Sequence, residues 1–392
     1  MGQARVVSGL SSSSSGLVPQ LTDGLVTLRE LREEDADTIV AYCNDPAMER
    51  WTTVPWPYRR EHALEYVAAG RRSWAEGSRF DFGIEHEGEL VGAIDLRRPV
   101  LPALAEVGFA LAPQARGKGL MSRALRLALP WGARQGIQVV QWRANVGNWA
   151  SRRAAWSVGF TVDGVLPGLL EHRGRITDGW LASMRLDENT TLVPAHPWFE
   201  PVTIDGPKVR LRASRESDVP RFVEGHADPA NKRWIPGIKA EYTAADALAH
   251  LSRDAEGAAA GRILSWAIAD PQEDVLLGEV VVFLHSLRDR QGEIGYWMHP
   301  DARGRGLASE ATFLAARHAL LPVEDGGLGW ANIGLRASVD NVASQRVAEK
   351  AGFRRLGLER GLYQPPGGGP RGDLAKYDMV PSDLATLDYP RG

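Results

Sequence analysis

Glycine and arginine at fixed spacing give this sequence its first chemical character. Glu293 to Leu307 reads EIGYWMHPDARGRGL, an alternation that predicts a short strand, then a proline stop, then Gly304-Arg305-Gly306 opening a helix. A strand that runs through a Gly-x-Gly turn into a helix leaves several backbone N–H groups unpaired beside the positive helix end. That is a seat for an anion, most often phosphate. The device recurs at Glu106 to Leu120, EVGFALAPQARGKGL, around Gly117-Lys118-Gly119. Neither copy has the third glycine of a dinucleotide fingerprint or the Lys-Ser/Thr ending of a nucleotide P-loop. Glycine here lets the backbone approach a diphosphate, and Arg116 and Arg303 beside the turns add positive charge.

A second motif follows each turn. Asn148, Ser151 and Gly159-Phe160 recur as Asn341, Ser344 and Gly352-Phe353. Asparagine at a helix start is a cap and glycine at its end is a stop, so these have structural reasons. The serines have none, which points to a ligand.

The elements that must position these residues repeat as well. In the first half the pattern predicts a strand at Leu25 to Arg29, a helix at Glu33 to Asn44, an aromatic loop (Trp51, Trp56, Tyr58) and a helix from Arg60 to Ala75. Strands at Phe80 to Glu85 and Leu90 to Leu96 precede the glycine turn. A helix to Ala133, a strand from Val139 to Ala144, a helix from Asn148 to Val158, and strands at Phe160 to Val165 and Trp180 to Arg185 come after it. Val209 to Arg212 repeats Val26 to Arg29, Asp228-Pro229 repeats Asp45-Pro46, and Trp234 and Tyr242 repeat Trp51 and Tyr58. The spacing of matched residues grows from 183 to 193 along the chain, so insertions fall between shared elements of a tandem duplication. The expected organisation is a disordered tail over 1–20, a first domain over 21–190, a proline-rich linker over 191–206 and a second domain over 207–386.

Bulk properties narrow the function classes. A chain of 392 residues exceeds one ordinary core. A net charge of −3 gives no electrostatic case for nucleic acid, and no stretch approaches a membrane span. Cys43 is the one cysteine, which excludes an internal disulfide and a multi-cysteine metal site and suits a reducing cytoplasm. No metal is expected.

Strand with glutamate, Gln/Arg-x-x-Gly-x-Gly at a helix start, then Asn-x-x-Ser…Gly-Phe resembles the GNAT superfamily of acyl-CoA-dependent N-acyltransferases. The likeness is greatest to the branch that acetylates N-termini of ribosomal proteins, and it covers both halves. It implies an α+β fold of two tandem domains, each a mixed, mostly antiparallel sheet flanked by helices. It also implies direct transfer of an acetyl group from acetyl-CoA to a primary amine, on a small molecule or a protein N-terminus. By matching position, Gln114, Arg116, Gly117, Lys118, Gly119 and Asn148 would hold coenzyme A in the first half, with Ser151 near the thioester. Arg303, Gly304, Arg305, Gly306, Asn341 and Ser344 correspond in the second half.

Backbone N–H groups at Leu111 and Met298 would face the developing oxyanion, and the strand on either side of the gap would splay to admit the pantetheine arm. Glu106 and Glu293 stand where some members carry a base. An amine of ordinary lysine pKa needs roughly 4 to 5 kcal/mol to be neutral at pH 7, an α-amine only about 1.4. Trp51, Trp56, Tyr58, Trp234 and Tyr242 fall where members close over the acceptor, though packing explains such rings equally well. Two departures stand out. Asp301 replaces Gln114 and would set an anion near a diphosphate. Ala155 and Ala348 occupy the slot where many members carry an acidic tyrosine, leaving Ser151 and Ser344 as the nearby hydroxyls. A longer acyl or aminoacyl donor, or one half that only binds cofactor or supports the other, are the alternatives.

Overall fold

A computed structural model of the chain describes residues 18–99, 101–187, 189–366 and 368–385. The expected tail lies, through residue 17, outside the described residues, while Val18 already packs against the first core. The chain divides into two compact units, Met1–Ala195 and His196–Gly392, each built on its own eight-stranded sheet.

The first unit runs β1 (Leu21–Thr22), β2 (Thr27–Arg29), α1 (Ala36–Cys43), α2 (Pro46–Trp51), α3 (Arg60–Glu76), β3 (Arg79–His86), β4 (Glu89–Arg97) and β5 (Leu104–Leu111). It continues with α4 (Leu120–Arg134), β6 (Val139–Asn145), α5 (Trp149–Trp156), β7 (Val162–His172) and β8 (Arg175–Arg185). The second runs β9 (Ile204–Asp205), β10 (Arg210–Arg212), α6 (Val219–Ala227), α7 (Pro229–Trp234), α8 (Ala244–Ala259), β11 (Ile263–Ala269), β12 (Leu276–Ser286) and β13 (Gln291–Met298). After that come α9 (Leu307–Leu320), β14 (Asn332–Ser338), α10 (Val342–Lys350), β15 (Arg354–Tyr363), β16 (Gly372–Met379) and α11 (Pro381–Leu384).

Strand order in the first sheet is β1-β2-β3-β4-β5-β6-β8-β7, and the second sheet repeats it. Only β5/β6 and β13/β14 pair in parallel among these strands. A parallel pair needs a crossover, and the crossover is the helix that the glycine turn opens, α4 or α9. Each crossover helix buries its apolar face on the sheet, with Leu120, Met121, Ala124, Leu125, Ala128 and Leu129 of α4 nearly inaccessible. Trp74, Phe80, Phe82 and Trp131 pack with ring centroids 5.0–5.2 Å apart in that core. Burying one such ring is worth roughly 2 to 3 kcal/mol, so the core holds the crossover helix, and with it the glycine turn, in place.

The expected strands formed within about two residues of their bounds except β7 and β8, which extend over Val162–His172 and Arg175–Arg185, well beyond the stretches expected. The proline-rich stretch did not remain a bare linker: Ile204–Asp205 forms β9, and Phe199, only 6% exposed, joins the second core with its N–H on the Ala258 carbonyl. Among the described residues no helix is long and apolar enough to cross a membrane.

Candidate active site

The gap between the parallel strands is the central feature. β5 and β6 are paired from Leu104↔Val139 to Val107↔Trp142, after which β5 runs on to Leu111 against β4 and β6 runs on to Asn145 against β8. In the second unit β13 and β14 part even earlier, after Glu293↔Gly334. The strands thus open a wedge in each sheet, and the glycine turn stands at its mouth.

The turn is built as the sequence predicts. Gly117 and Gly119 have φ of +74° and +73°, Gly304 and Gly306 +75° and +80°, all in the left-handed region that glycine enters at no steric cost. A Cβ at any of the four would meet nothing within 4 Å, so the backbone faces open space. Gly119 and Gly306 are the N-caps of α4 and α9 with no side chain capping them. Uncapped N–H groups in an open, glycine-lined concavity fit a diphosphate.

Arg116 and Arg303 have a second duty. Each donates to the aspartate that caps the neighbouring short helix, Arg116 to Asp45 at 2.8 Å and Arg303 to Asp228 at 2.5 Å, and each also donates to a strand-end carbonyl, of Leu111 or Met298. Gln114, Lys118 and Arg305 are exposed at the turns. Asp301 does not leave a free anion there: Arg221 grips both its oxygens at 2.8 and 2.9 Å and His299 adds a bond at 2.7 Å. The Arg221 guanidinium, with His299, holds the Asp301 carboxyl down to about 2. Leu111 and Met298 sit opposite Gly92 and Gly278. A side chain at either glycine would strike a carbonyl of the facing strand at 2.3 or 2.2 Å, so the two strands close up tightly beside the wedge.

Asn148 and Asn341 cap α5 and α10 by accepting from Ser151 and Ser344 N–H groups at 3.3 and 3.1 Å. The serine hydroxyls differ between the units. Ser151 Oγ accepts from Trp142 Nε1 at 3.1 Å, whereas Ser344 Oγ pairs with the Tyr296 hydroxyl at 2.9 Å. Trp142 is on the same arm of the wedge as α5, while Tyr296 reaches from β13 across the wedge to α10. Burial pushes the Tyr296 phenol up to about 12. In the first unit Phe109 holds that place, and the wedge widens into a cleft of about 850 Å³ lined by Phe109, Leu111, Gly117, Trp142, Asn148 and Ser151 among others.

Not every residue expected at the site is there. Trp51 lines the cleft, but Tyr58 is 7% exposed in the core beneath α1 and α3, where its backbone bonds with Asn44 fix the loop. Tyr242 packs on a second-unit core and stacks on His226 at 4.4 Å. Trp234 packs beside Tyr363 and under Arg233, and Trp56 is 38% exposed away from the cleft lining. Tyr58 and Tyr242 have the packing role that the sequence left open beside the acceptor role, since large rings next to a sheet gain by burial. Glu106 is not free either. Arg97 lies 3.3 Å and Arg143 3.5 Å from its oxygens, and Glu293 is paired with Arg336 at 2.8 Å. A carboxylate so engaged must give up an ion pair before it can take a proton.

Sequence reasoning missed the polar layer around that glutamate. Asp95 and Asp81 face each other across β3 and β4, and Asp95 stands opposite Gly108, a cleft residue whose missing side chain leaves room for the carboxyl. Burial, above all, raises Asp95 to about 6; Arg97 Nε, at 2.8 Å but poorly aligned, offsets this incompletely and Asp81 adds to it. A folded-state value above the unfolded one means the group stabilises the fold when protonated. That contribution is complete below about pH 4 and lost as pH rises through about 6. Asp95→Asn should therefore gain stability over the wild type as pH rises from about 4 to about 7, by up to about 3 kcal/mol. Urea melts across that range check it; a gap that is constant with pH would refute the assignment. In the second unit His250 Nε2 lies 3.1 Å from both Glu279 oxygens and 3.5 Å from Asp254, a group with metal-ligand chemistry that the sequence reading did not anticipate.

No curated protein sequence matches the chain. Among solved structures, the ribosomal L7/L12 alpha-N-protein acetyltransferase RimL is 21% identical over 45% of this chain and 100% of its own, with a TM-score of 0.41. RimJ of Mycobacterium smegmatis, in complex with CoA-disulfide, is 24% identical over 45% and 90%, at 0.40. The microcin C7 self-immunity acetyltransferase MccE, in complex with acetyl-CoA and AMP, is 17% identical over 42% and 94%, at 0.40. A sequence model of the acetyltransferase (GNAT) domain matches residues 26–161 and again 208–354, one match to each sheet and its glycine turn. The chain therefore belongs to the GNAT acetyltransferase family and carries that family's domain twice.

Proposed function

We propose that the protein transfers an acetyl group from acetyl-CoA to a primary amine, and that the first unit is a working site. The observation that carries this is a single cleft in which the open glycine turn, the wedge between β5 and β6, Asn148 and Ser151 all meet. Gly117, Lys118 and Gly119 would hold the diphosphate through backbone N–H groups, with Arg116 adding charge while it ties the turn to α2. Asn148 shapes the wedge wall by capping α5. Bound there, acetyl-CoA supplies an activated acyl group; the protein supplies position, exclusion of water and hydrogen-bond donors.

The acceptor would enter beside Trp51; Arg97, Arg143, Glu171 and His172 also line the cleft. Arg97 and Arg143, both shared with Glu106, together with Glu171 and the Trp51 ring give the cleft charges of both signs, which suits an amine that also carries an anionic group, such as an amino acid or a peptide N-terminus, better than a polyamine. For an α-amine the cost of the neutral form is only about 1.4 kcal/mol, so an ion-paired Glu106 need not act as a strong base. Longer acyl donors would compete with acetyl for the same wedge. A second reading, in which the second unit supports rather than catalyses, is favoured by the Tyr296–Ser344 bond that spans its wedge.

The test is an acetyl-CoA-dependent screen of amine classes with mass spectrometry of the products. Amino acids or peptides bearing an α-amine are expected to gain an acetyl group. Activity confined to polyamines would overturn the acceptor assignment, and no acetylation of any amine would overturn the function.

A further inference from the structure

Ser151 Oγ has one hydrogen-bond partner among the described residues, the indole Nε1 of Trp142 at 3.1 Å. An indole N–H donates and has no lone pair with which to accept. The serine oxygen must therefore be the acceptor, and its own hydrogen is left to point elsewhere. Trp142 is 1% exposed and stacked on Trp180, which fixes the donor, and the Ser151 backbone is held by its N–H on Asn148 Oδ1. Both Ser151 and Trp142 line the cleft, so the wedge is open to that hydrogen.

We propose that Trp142 is a positioning residue that fixes the Ser151 hydroxyl as a hydrogen-bond donor into the wedge, toward the sulfur of an acyl thioester. This rests on the function proposed above. In that reaction the nitrogen–carbon bond forms as the carbon–sulfur bond breaks, and the electron pair of the broken bond passes to sulfur. The amine releases one proton to water and sulfur regains one, so the sum is amine plus thioester giving amide plus thiol. A hydroxyl already turned toward sulfur meets that charge without first reorienting.

The second unit lacks this arrangement. Leu335 stands where Trp142 does, and Ser344 pairs instead with the Tyr296 hydroxyl, which donates or accepts equally well. Ser344 is consequently not locked in one sense. The inference concerns the first unit.

The test uses the full chain carrying Gly304→Val, which leaves the first cleft as the reporter, and reads coenzyme A binding rather than turnover alone. Affinities for coenzyme A and for desulfo-coenzyme A are compared by calorimetry from about pH 7 to about pH 9.5, a span that ionises a thiol of ordinary pKa. A fixed donor favours the thiolate, so coenzyme A should tighten about tenfold more than its desulfo analogue. Ser151→Ala should reduce that difference to less than about twofold, and so should Trp142→Phe, with kcat lowered and the KM for acetyl-CoA little changed. The double variant should be no worse than Ser151→Ala. If Trp142→Phe does not fold, benzothienylalanine at position 142 keeps the ring shape and drops only the N–H.

Loss of the pH effect in the serine variant but not in either Trp142 replacement would overturn the positioning role while leaving Ser151 in place. A serine variant with unchanged binding and kcat would overturn the role of Ser151 itself. Absence of coenzyme A binding in the parent chain would overturn the function on which both rest.

Discussion

Gly117→Val is expected to abolish coenzyme A binding by the first cleft, with affinity down at least about a hundredfold while the chain stays folded. Two costs add. Valine is strained at a φ of +74°, where a β-branched side chain clashes with its own backbone by roughly 1 to 2 kcal/mol or more. It also projects two methyl groups into the open space before the uncapped start of α4, where a phosphate has to approach the N–H groups. No neighbouring atom lies within 4 Å of that point, so the side chain displaces ligand rather than protein. Gly117→Ala separates the two costs, since it keeps most of the backbone strain and adds little volume; it should weaken binding by about tenfold. Calorimetric titration of the full chain carrying Gly304→Val, so that only the first cleft reports, with circular dichroism as the folding control, measures both. Unchanged affinity in Gly117→Val would mean the turn is not the diphosphate cradle.

The largest stability effect is expected far from the cleft. Arg29 on β2 is buried and donates to both oxygens of Asp35 at 2.8 and 2.9 Å, to Glu85 at 2.6 Å and to the Glu30 carbonyl. Asp35 also accepts the Arg32 N–H that begins the turn into α1. The second unit repeats the arrangement with Arg212, Asp218 and Asp274. A buried charge that loses its partner is costlier than the pair was worth, because desolvation stays and attraction goes. Asp35→Ala should destabilise the first unit by about 3 kcal/mol, at the low end for such a loss because Glu85 remains. The double variant Arg29→Met, Asp35→Leu should recover most of that, since it removes both charges. Urea unfolding of the three proteins decides the matter: a double variant as unstable as the single would show that packing, not the stranded charge, is what Asp35 supplies.

Local signals were legible in the sequence and contacts between distant residues were not. The glycine turns, the asparagine caps and the strands beside them are set by backbone geometry within a few residues, and glycine at positive φ is conspicuous by its type. The duplication made each motif visible twice. Trp142 offered no such sign. It sits nine residues before Ser151 on an ordinary alternating strand, and only the turn from β6 into α5 brings indole and hydroxyl together. Asp95 carried no signal either, since only the register of β3 and β4 places Asp81 opposite it. For the aromatic loop the sequence left acceptor side and packing open. Tyr58 matched the acceptor side by position, yet a ring beside a helix pair is worth more buried than lining a cleft. Phe199 shows the same physics inside a stretch whose prolines suggested only a tether.

The bond from Tyr296 to Ser344 has a consequence for how the two copies respond to supply. On the reading that the donor inserts between the arms of each wedge, the second copy must first surrender that bond and the first copy surrenders none. A neutral hydrogen bond is worth about 1 kcal/mol net, which shifts half-saturation by roughly fivefold. Two otherwise similar sites offset by that amount fill over overlapping ranges, the first ahead of the second. The chain as a whole would then grade its occupancy over a wider span of acetyl-CoA concentration than a single hyperbola covers, with a tyrosine in one copy and a phenylalanine in the other setting the spread.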